Sequence, residues 1–377
     1  MDDGVKRRVY TKLCERSELS CCGCKRSVAT DCLSPRPEIL CSYSGSETVI
    51  YMIIKDKIYG KFKIHSLVIV DLIKSKPFQR LKNISQDGAP HYIQPERDVS
   101  RYEHSIGVWF LSNKLKRGIE EQIACLLHDI PHTAFSHVID IVMDDPNHEF
   151  HEKFMETIIY NSEIPKILKK YNIDIKKVLN VHKFPLLENS LPDISVDRWD
   201  YFMRDGYTMG FLPIETVNLF LNNIFIDKEK LYFKNVRVAS LFSILFVNFS
   251  RLIWLDPTSH GSFYLIASAI KIGVKKGLIS NEDLFTDDLI MMEKLRKTKD
   301  PDILKFLSRL SPKREFVYAS KEEAEFYGQN KPRFVDPLVR IHGKFIRTSK
   351  LVHSIGYMCE EFKKSHKMLG VTQLVTK

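Results

Sequence analysis

The sequence lacks the features of a secreted or membrane-spanning protein. Its first residues, MDDGVKRRVY, form no apolar signal segment, and no uncharged apolar run approaches the length needed to cross a bilayer. Beyond Cys41 the 377-residue chain has only two cysteines, Cys125 and Cys359, so a disulfide framework is not expected. These absences predict a cytoplasmic or nuclear protein without a membrane partner.

The remaining cysteines are concentrated at the start of the chain. Clustered thiolates can bind zinc, but CCGC has no paired CxxC partner and the spacings match no known finger or ribbon. A loosely ordered extension with reduced thiols is therefore the main interpretation of residues 1–47, and structural zinc is the alternative. The six residues are Cys14, Cys21, Cys22, Cys24, Cys32 and Cys41.

The rest of the composition is that of a soluble globular protein, with 44% hydrophobic and 28% charged residues. A net charge of +10 attracts polyanions in general and does not select one class. The basic residues occur in short groups, such as Lys169 and Lys170, which are typical of solvated helix faces. Nucleic-acid binding therefore stays a secondary alternative.

Apolar residues recur mostly at helical spacing, which predicts a mostly α fold. Short β-branched runs around Gly60, in NNIFIDKEKLYF and near the C-terminus add minor β hairpins. We divide the chain into an N-terminal extension at residues 1–47, a helical catalytic core at 48–280 and a C-terminal mixed α/β lobe at 281–377.

Three strings in the core, RYEHSIG, LLHDIPHTAFSH and ISVDRWDYFMRD, contain residues of the types that bind metals. Two imidazoles and two carboxylates can hold a divalent cation and leave open positions for water and substrate. Helical spacing places Arg101 one turn before the first histidine, so both side chains can reach one pocket. The candidate ligands, which indicate a metallohydrolase, are His104, His128, Asp129 and Asp197.

Longer strings resemble the HD-domain metal phosphohydrolases, in particular their dNTP triphosphohydrolase branch. They are FQRLKNISQ, RYEHSIGV, LLHDIPHTAFSH, HEKFMETII and DISVDRWDYFMRDGYTMG, within about residues 50–275. The resemblance implies an HD-domain helical core, one divalent metal ion per active site (Mn, Fe, Mg or Zn), and a homodimer or homotetramer. The implied reaction converts a dNTP and water to deoxynucleoside and inorganic triphosphate.

The resemblance also implies catalytic residues beside the metal. His132, His137 and His151 are expected to approach the phosphates, with Asp140 orienting one of these imidazoles. Histidine can donate a proton to the leaving 5′ oxygen near neutral pH, and a carboxylate partner fixes its tautomer. Which histidine is the acid stays open.

Five further residues are implied to bind the substrate. Arg101 and Arg198 would hold phosphate charge, since a guanidinium meets two oxygens in a fork and stays charged. Tyr201 would lie against the nucleotide. Gln86 and Asp205 would read the sugar 3′-hydroxyl.

Two positions depart from the family pattern on the nucleoside side. Asp87 stands where an apolar residue usually approaches the sugar, and Trp254 stands at a tyrosine of the family, so we expect altered sugar or base selectivity. Two alternatives to dNTP hydrolysis remain. One is an HD-type phosphodiesterase or nucleotidase acting on nucleoside monophosphates, cyclic nucleotides or nucleic-acid ends, and the other is a non-catalytic nucleotide or nucleic-acid binding protein.

Overall fold

The computed structural model describes residues 38–44, 47–145, 150–227, 229–329, 331–365 and 368–374, without the side chains of 38–50, 151 and 152. Two compact units follow each other along the chain, one ending at Lys74 and the other beginning at Ser75. Both interpretations of the cysteine cluster stay predictions, because its side chains lie outside the described residues. These are Cys14, Cys21, Cys22, Cys24, Cys32 and Cys41.

The first unit is a three-stranded antiparallel sheet followed by a helix. The hairpin predicted around Gly60 is present: Asp56 Oδ1 accepts hydrogen bonds from the backbone N–H groups of Ile58 and Tyr59, and Gly60 has a left-handed φ of 72°. A further strand, not predicted from the sequence, pairs with this hairpin. The elements are β1 (Glu38–Ser44), β2 (Glu47–Asp56), β3 (Gly60–Ile64) and α1 (Leu67–Lys74).

The second unit consists mainly of helices, as the apolar spacing predicts. Its first half contains α2 (Lys76–Arg80), α3 (Arg101–Lys114), α4 (Ile119–Leu127), α5 (Val138–Val142), α6 (Met155–Tyr160), α7 (Ile164–Lys170), α8 (Ile175–Leu179), α9 (Val196–Thr208) and α10 (Ile214–Asn223). Its second half contains α11 (Val236–Phe249), α12 (Pro257–Lys275), α13 (Asp288–Lys297), α14 (Pro301–Leu307), α15 (Thr348–Leu351) and α16 (His353–Ser365). Short helical turns lie at Leu81–Asn83, Ala89–Tyr92, His151–Phe154, Val181–Lys183, Ser250–Trp254 and Glu282–Phe285.

Two small sheets complete the second unit. One has the order β4-β5-β8-β9, and its first hairpin turns between Asp227 and Lys230 as the sequence predicts. The other has the order β6-β10-β7, with the last strand of the chain in the middle. The mostly α fold with minor β elements is thus confirmed. The strands are β4 (Ile224–Asp227), β5 (Lys230–Phe233), β6 (Phe316–Tyr318), β7 (Phe326–Gln329), β8 (Leu338–Ile341), β9 (Lys344–Arg347) and β10 (Met368–Gln373).

Two N-terminal caps fix where the site helices begin. Ser100 and Glu103 form a reciprocal capping box at the start of α3, in which each side chain accepts a hydrogen bond from the backbone of the other residue. Ser195 accepts from the backbone N–H of Arg198 at the start of α9. The caps satisfy backbone donors that the first turn leaves free, so both helices start at defined residues.

Aromatic side chains of α9 and α11 form a packed core behind the site. The Trp199 ring stacks on Phe242 with centroids 4.8 Å apart, and the Phe202 ring lies 4.9 Å from Phe246. Val236–Trp254 is the one segment of the described chain that is long and apolar enough to cross a membrane, by length and composition only. Its contacts with α9 are those of a core helix.

Helices α3 and α9 approach each other closely at Gly107. A Cβ atom at this position would lie 1.9 Å from Asp200 Oδ2 and 2.4 Å from Arg204 Nη2, both of which are buried. We expect Gly107→Ala to lower the free energy of unfolding by at least about 1–3 kcal/mol, because a methyl group must displace this ion pair. Urea denaturation measures the change. Gly118→Ala is the control, since its Cβ would meet nothing nearer than 3.9 Å; equal effects of both substitutions would contradict the prediction.

Candidate metal centre and active site

The four candidate metal ligands come together from three helices. His104 lies in α3, His128 and Asp129 directly follow α4, and Asp197 lies in the first turn of α9. His104 Nε2 is 3.0 Å from Asp197 Oδ1 and 3.7 Å from Asp129 Oδ2. His128 Nε2 is 3.4 Å from Asp129 Oδ1 and 3.6 Å from Asp197 Oδ1. Donor atoms that each lie about 2 Å from a common cation have spacings of this size.

His128 shows most directly that these donors suit a cation. Its Nδ1 lies 2.8 Å from the carbonyl oxygen of Cys125, which can only accept, so Nδ1 carries a proton and Nε2 is the atom available to a cation. Nε2 is buried and, among the residues that the structure describes, has no hydrogen-bond partner. Its donor atom lies within 4.8 Å of those of His104 and Asp129. Imidazole and carboxylate donors fit a divalent cation without selecting among Mn, Fe, Mg and Zn.

Carboxylates dominate the electrostatics of this cluster. Burial by itself lowers the pKa of His104, but hydrogen bonds to Asp197 and Asp200 and the charge of Asp129 outweigh burial and raise the pKa to about 10. Burial raises the pKa of Asp197, but His104 and His128 outweigh burial, so the net effect is a lowered pKa. A pocket that retains protons this strongly also has the negative potential that attracts a divalent cation.

A buried carboxylate that the sequence reasoning missed, that of Asp200, supports His104 from behind. Asp200 Oδ1 lies 2.8 Å from His104 Nδ1, which directs Nε2 toward the cluster. Arg204 donates to both oxygens of Asp200, at 2.9 and 3.0 Å. The available sequence signal was the i,i+4 pair of Asp200 and Arg204 on α9, three residues beyond Asp197.

The Arg101 side chain contacts the metal-ligand set and is not exposed to solvent. Its Nη1 donates to Asp129 Oδ2 and its Nε to Ser136 Oγ, both at 2.7 Å. Burial raises the pKa of Asp129. The opposing effects of Arg101, His128 and His132 are larger, and together they lower this pKa well below its ordinary value. The prediction that Arg101 and His104 reach one pocket is confirmed by their shared contact with Asp129.

Two of the three candidate catalytic histidines lie beside this cluster. His132 Nε2 is 3.2 Å from Asp129 Oδ1, and the His132 and His137 rings have centroids 5.1 Å apart. His137 Nδ1 is 3.1 Å from Asp140 Oδ2, so the expected pairing with Asp140 is present. Burial lowers the pKa of His137 despite that carboxylate. The side chain of His151 lies outside the described residues, and its role stays a prediction.

The loop between α4 and α5, which carries both histidines, has an unusual backbone. Phe135 and Ser136 both have left-handed φ values, 59° and 54°. Asp288 accepts a hydrogen bond from the Phe135 N–H at 2.6 Å, and Arg80 donates to the carbonyls of Ile130 and His132. Asp288 and Arg80 therefore hold the loop in shape, a role that the sequence reasoning did not assign.

Two of the substrate residues predicted on α9, Tyr201 and Asp205, are buried, and Asp205 has a hydrogen-bond partner. Asp205 Oδ2 accepts a hydrogen bond from Trp254 Nε1 at 3.0 Å. The Tyr201 ring lies 5.1 Å from the Trp254 ring, nearly perpendicular to it. Trp254 thus contacts two of the residues predicted to bind the substrate, and it satisfies Asp205.

Arg198, the second predicted phosphate clamp, points into its own loop. Its terminal nitrogens donate to the carbonyls of Asp193 and Asn189, at 2.5 and 3.0 Å. Its phosphate-binding role stays a prediction, and it requires Arg198 to exchange these carbonyls for phosphate oxygens.

Asp87 is neutralised by a buried ion pair. Arg97 donates to Asp87 at 2.6 Å and to Asp256 at 2.5 Å. The expected contact of Asp87 with a sugar hydroxyl therefore competes with Arg97. A cavity of about 10 Å³ remains beside Asp87, Arg97 and Asp205, which is room for one water molecule.

Comparison with known proteins agrees with this geometry. The sequence matches the HD domain family over residues 101–205, which span all four candidate ligands. The uncharacterised protein YdhJ of Bacillus subtilis is 34% identical over 310 residues, covering 82% of this chain and 95% of that protein. The chain belongs to the HD-domain family.

The HD-domain protein is also similar to the metal-dependent phosphohydrolase cns2 of Cordyceps militaris, with 28% identity over 69% of this chain and 77% of that protein. Deoxynucleoside triphosphate triphosphohydrolase SAMHD1 of Mus musculus is 28% identical over 46% of this chain, which covers only 34% of SAMHD1. A hypothetical protein from Aquifex aeolicus has the same fold, with a TM-score of 0.63 and 18% identity over 86% of this chain and 95% of that one. Family and donor set together make this protein a metal-dependent HD-domain phosphohydrolase.

Proposed function

We propose that the HD-domain protein hydrolyses deoxynucleoside triphosphates to deoxynucleoside and inorganic triphosphate. The similarity to SAMHD1, whose name states this type of activity, supports the substrate class. The observation that carries the proposal is a series of hydrogen bonds from the metal-ligand set to Ser85, the residue directly before Gln86, which is predicted to read the sugar.

The series of contacts starts at Asp129. Arg101 bridges Asp129 and Ser136, and Ser136 Oγ donates to the carbonyl oxygen of Ser85 at 2.5 Å. The next residue, Gln86, has a buried Oε1 that has no hydrogen-bond partner among the described residues. A buried amide oxygen in this state favours a ligand that brings a hydroxyl donor, such as a sugar 3′-hydroxyl.

The proposed reaction needs an activated water, a group that binds phosphate charge and a proton donor, and the site has candidates for each. A bound divalent cation supplies Lewis acidity, which activates water and neutralises charge on the phosphoryl group. Arg101 stays charged and can hold phosphate oxygens with its second terminal nitrogen. When the bond between the α-phosphorus and the 5′ oxygen breaks, that oxygen needs a proton, which His132 or His137 can donate.

A second candidate would use the same metal-ligand set on a different phosphate ester. The Trp254 indole donates to Asp205 at 3.0 Å, so Asp205 must exchange this contact before it can read a sugar hydroxyl. The second candidate, which does not need the 3′-hydroxyl contact, is an HD-type phosphodiesterase or nucleotidase acting on nucleoside monophosphates, cyclic nucleotides or nucleic-acid ends.

Product analysis distinguishes the two candidates. We expect the full chain, incubated with each common dNTP and NTP in the presence of Mn²⁺, Fe²⁺, Mg²⁺ or Zn²⁺, to release deoxynucleoside and inorganic triphosphate in equal amounts. Ion-exchange chromatography identifies both products. Turnover of monophosphates or cyclic nucleotides without any release of triphosphate would contradict the proposal and support the second candidate.

A further inference from the structure

Arg333 reaches the active site from the C-terminal part of the chain. Its guanidinium carbon lies 5.4 Å from the centroid of the Tyr201 ring and 6.0 Å from that of the Trp254 ring. Its positive charge contributes to lowering the pKa of His137, after the larger effect of burial. The guanidinium therefore lies over the aromatic wall of the nucleotide site, and its charge acts on the imidazole of a candidate catalytic histidine.

The position of Arg333 is fixed by buried neighbours. Val335 is fully buried, and the Asp336 N–H donates to the carbonyl of Pro192 at 2.9 Å. The Asp336 carboxylate accepts from the N–H and the hydroxyl of Ser349, at 2.9 and 2.5 Å. Arg333 thus begins an anchored segment and is not the tip of a long surface loop.

The charge of Arg333 helps Arg97 to oppose the rise in the pKa of Asp87 that burial causes, but Asp87 already forms its ion pair with Arg97. Within the described part of the chain, the Arg333 guanidinium makes no hydrogen bond or ion pair, although the side chain is partly buried. The other arginines around the site all have acceptors: Arg97 has Asp87 and Asp256, Arg101 has Asp129, Arg198 has two carbonyls, and Arg204 has Asp200.

We infer that Arg333 binds a phosphate group of the substrate, in the polyphosphate chain of a nucleoside triphosphate. A guanidinium that lies over aromatic rings keeps its N–H groups available for phosphate oxygens. The inference rests on the proposed function. It assigns the second phosphate contact to Arg333 in place of Arg198, whose terminal nitrogens already donate to backbone carbonyls.

Substitution of Arg333 tests the inference. We expect Arg333→Gln to raise KM for the preferred dNTP by about 10- to 100-fold, and to weaken binding of inorganic triphosphate to the full chain similarly, the size of one charge-assisted contact. Arg333→Lys keeps the charge without the fork and should restore part of the loss. Calorimetry measures triphosphate binding without turnover, and thermal unfolding of each variant reports any loss of fold.

The matched control is Arg340→Gln. Arg340 is exposed, lies over the rings of Tyr232 and Phe345 at 5.7 Å, and pairs with Asp227 at 3.0 Å, so its loss removes the same charge from a similar aromatic setting. Equal triphosphate binding by wild type, Arg333→Gln and Arg340→Gln would overturn the inference, as would undetectable binding by wild type. If wild type released no triphosphate from any dNTP but Arg333→Gln alone weakened triphosphate binding, the proposed function would fail and the phosphate contact would stand.

Discussion

His128→Ala should abolish metal-dependent hydrolysis while the protein stays folded. Among the described residues, Nε2 of His128 has no hydrogen-bond partner, and Nδ1 bonds a backbone carbonyl. Removing the ring therefore leaves no side-chain hydrogen-bond partner unpaired. It takes away one of several groups that lower the pKa values of Asp129 and Asp197, and it deletes one proposed ligand. Loss of about 4 kcal/mol of transition-state stabilisation corresponds to about a thousandfold in kcat/KM.

Metal content and turnover measure this effect together. We expect purified His128→Ala to contain much less metal than wild type, by plasma mass spectrometry, and to show a Tm close to that of wild type after chelation. His182→Ala, an exposed histidine, is the control and should keep metal and activity. A His128→Ala protein with full metal content and full activity would show that His128 is not a ligand.

Asp129 is a less informative target because its loss has a second consequence. Arg101 is 3% exposed and donates to Asp129, so Asp129→Ala leaves a buried guanidinium without its carboxylate. Removing one partner of a buried pair typically costs about 3–5 kcal/mol of stability. Lost activity in that variant would combine lost metal with partial unfolding, whereas the effect of His128→Ala is confined to the donor set.

Asp200→Ala is expected to have the largest effect on stability and to weaken metal binding as well. Asp200 is fully buried between His104 and Arg204, and Arg204 is 1% exposed. Removing the carboxylate of this buried ion pair should cost about 3–5 kcal/mol of unfolding free energy. Losing the partner that orients His104 should weaken metal affinity by about 10- to 100-fold.

A double substitution separates these two effects of Asp200. Asp200→Ala combined with Arg204→Met removes both charges, so we expect stability to recover in part while metal affinity stays low. Urea denaturation and metal titration measure the two quantities. Asp283→Ala, which breaks a partly exposed pair with Lys294, is the control and should change neither quantity appreciably. Recovery of metal affinity in the double variant would refute the orienting role of Asp200.

Several features of the fold could be predicted because they depend on local patterns. The helical spacing of apolar residues predicted the mostly α class, and short β-branched runs predicted the hairpins around Gly60 and in NNIFIDKEKLYF. The helix His353–Ser365 and the strand Met368–Gln373 were not predicted individually, and the strand forms only by pairing with two strands distant in sequence. The oligomeric state, the cellular location and the domain boundaries at 47 and 280 stay predictions.

The candidate site was only partly predictable, for the same reason. His104, His128, Asp129 and Asp197 could be chosen by residue type and by the helices that carry them. The partners of Asp205 and Asp200 could not, because the contact of Asp205 with Trp254 joins separate helical segments and the contact of Asp200 with His104 depends on the close approach at Gly107.

The sequence by itself determined the helical class, the donor set and the HD-domain resemblance, because helix periodicity and ligand type are properties of short segments. The tertiary structure decided which charges are satisfied. In the folded chain Arg198 donates to backbone carbonyls, and Asp87 pairs with Arg97. Arg333 lies over the Tyr201 ring and has no hydrogen-bond acceptor within the described part of the chain. Whether a charged side chain has a partner depends on which distant surfaces meet, and the burial and hydrogen bonds of those surfaces exist only in the folded chain.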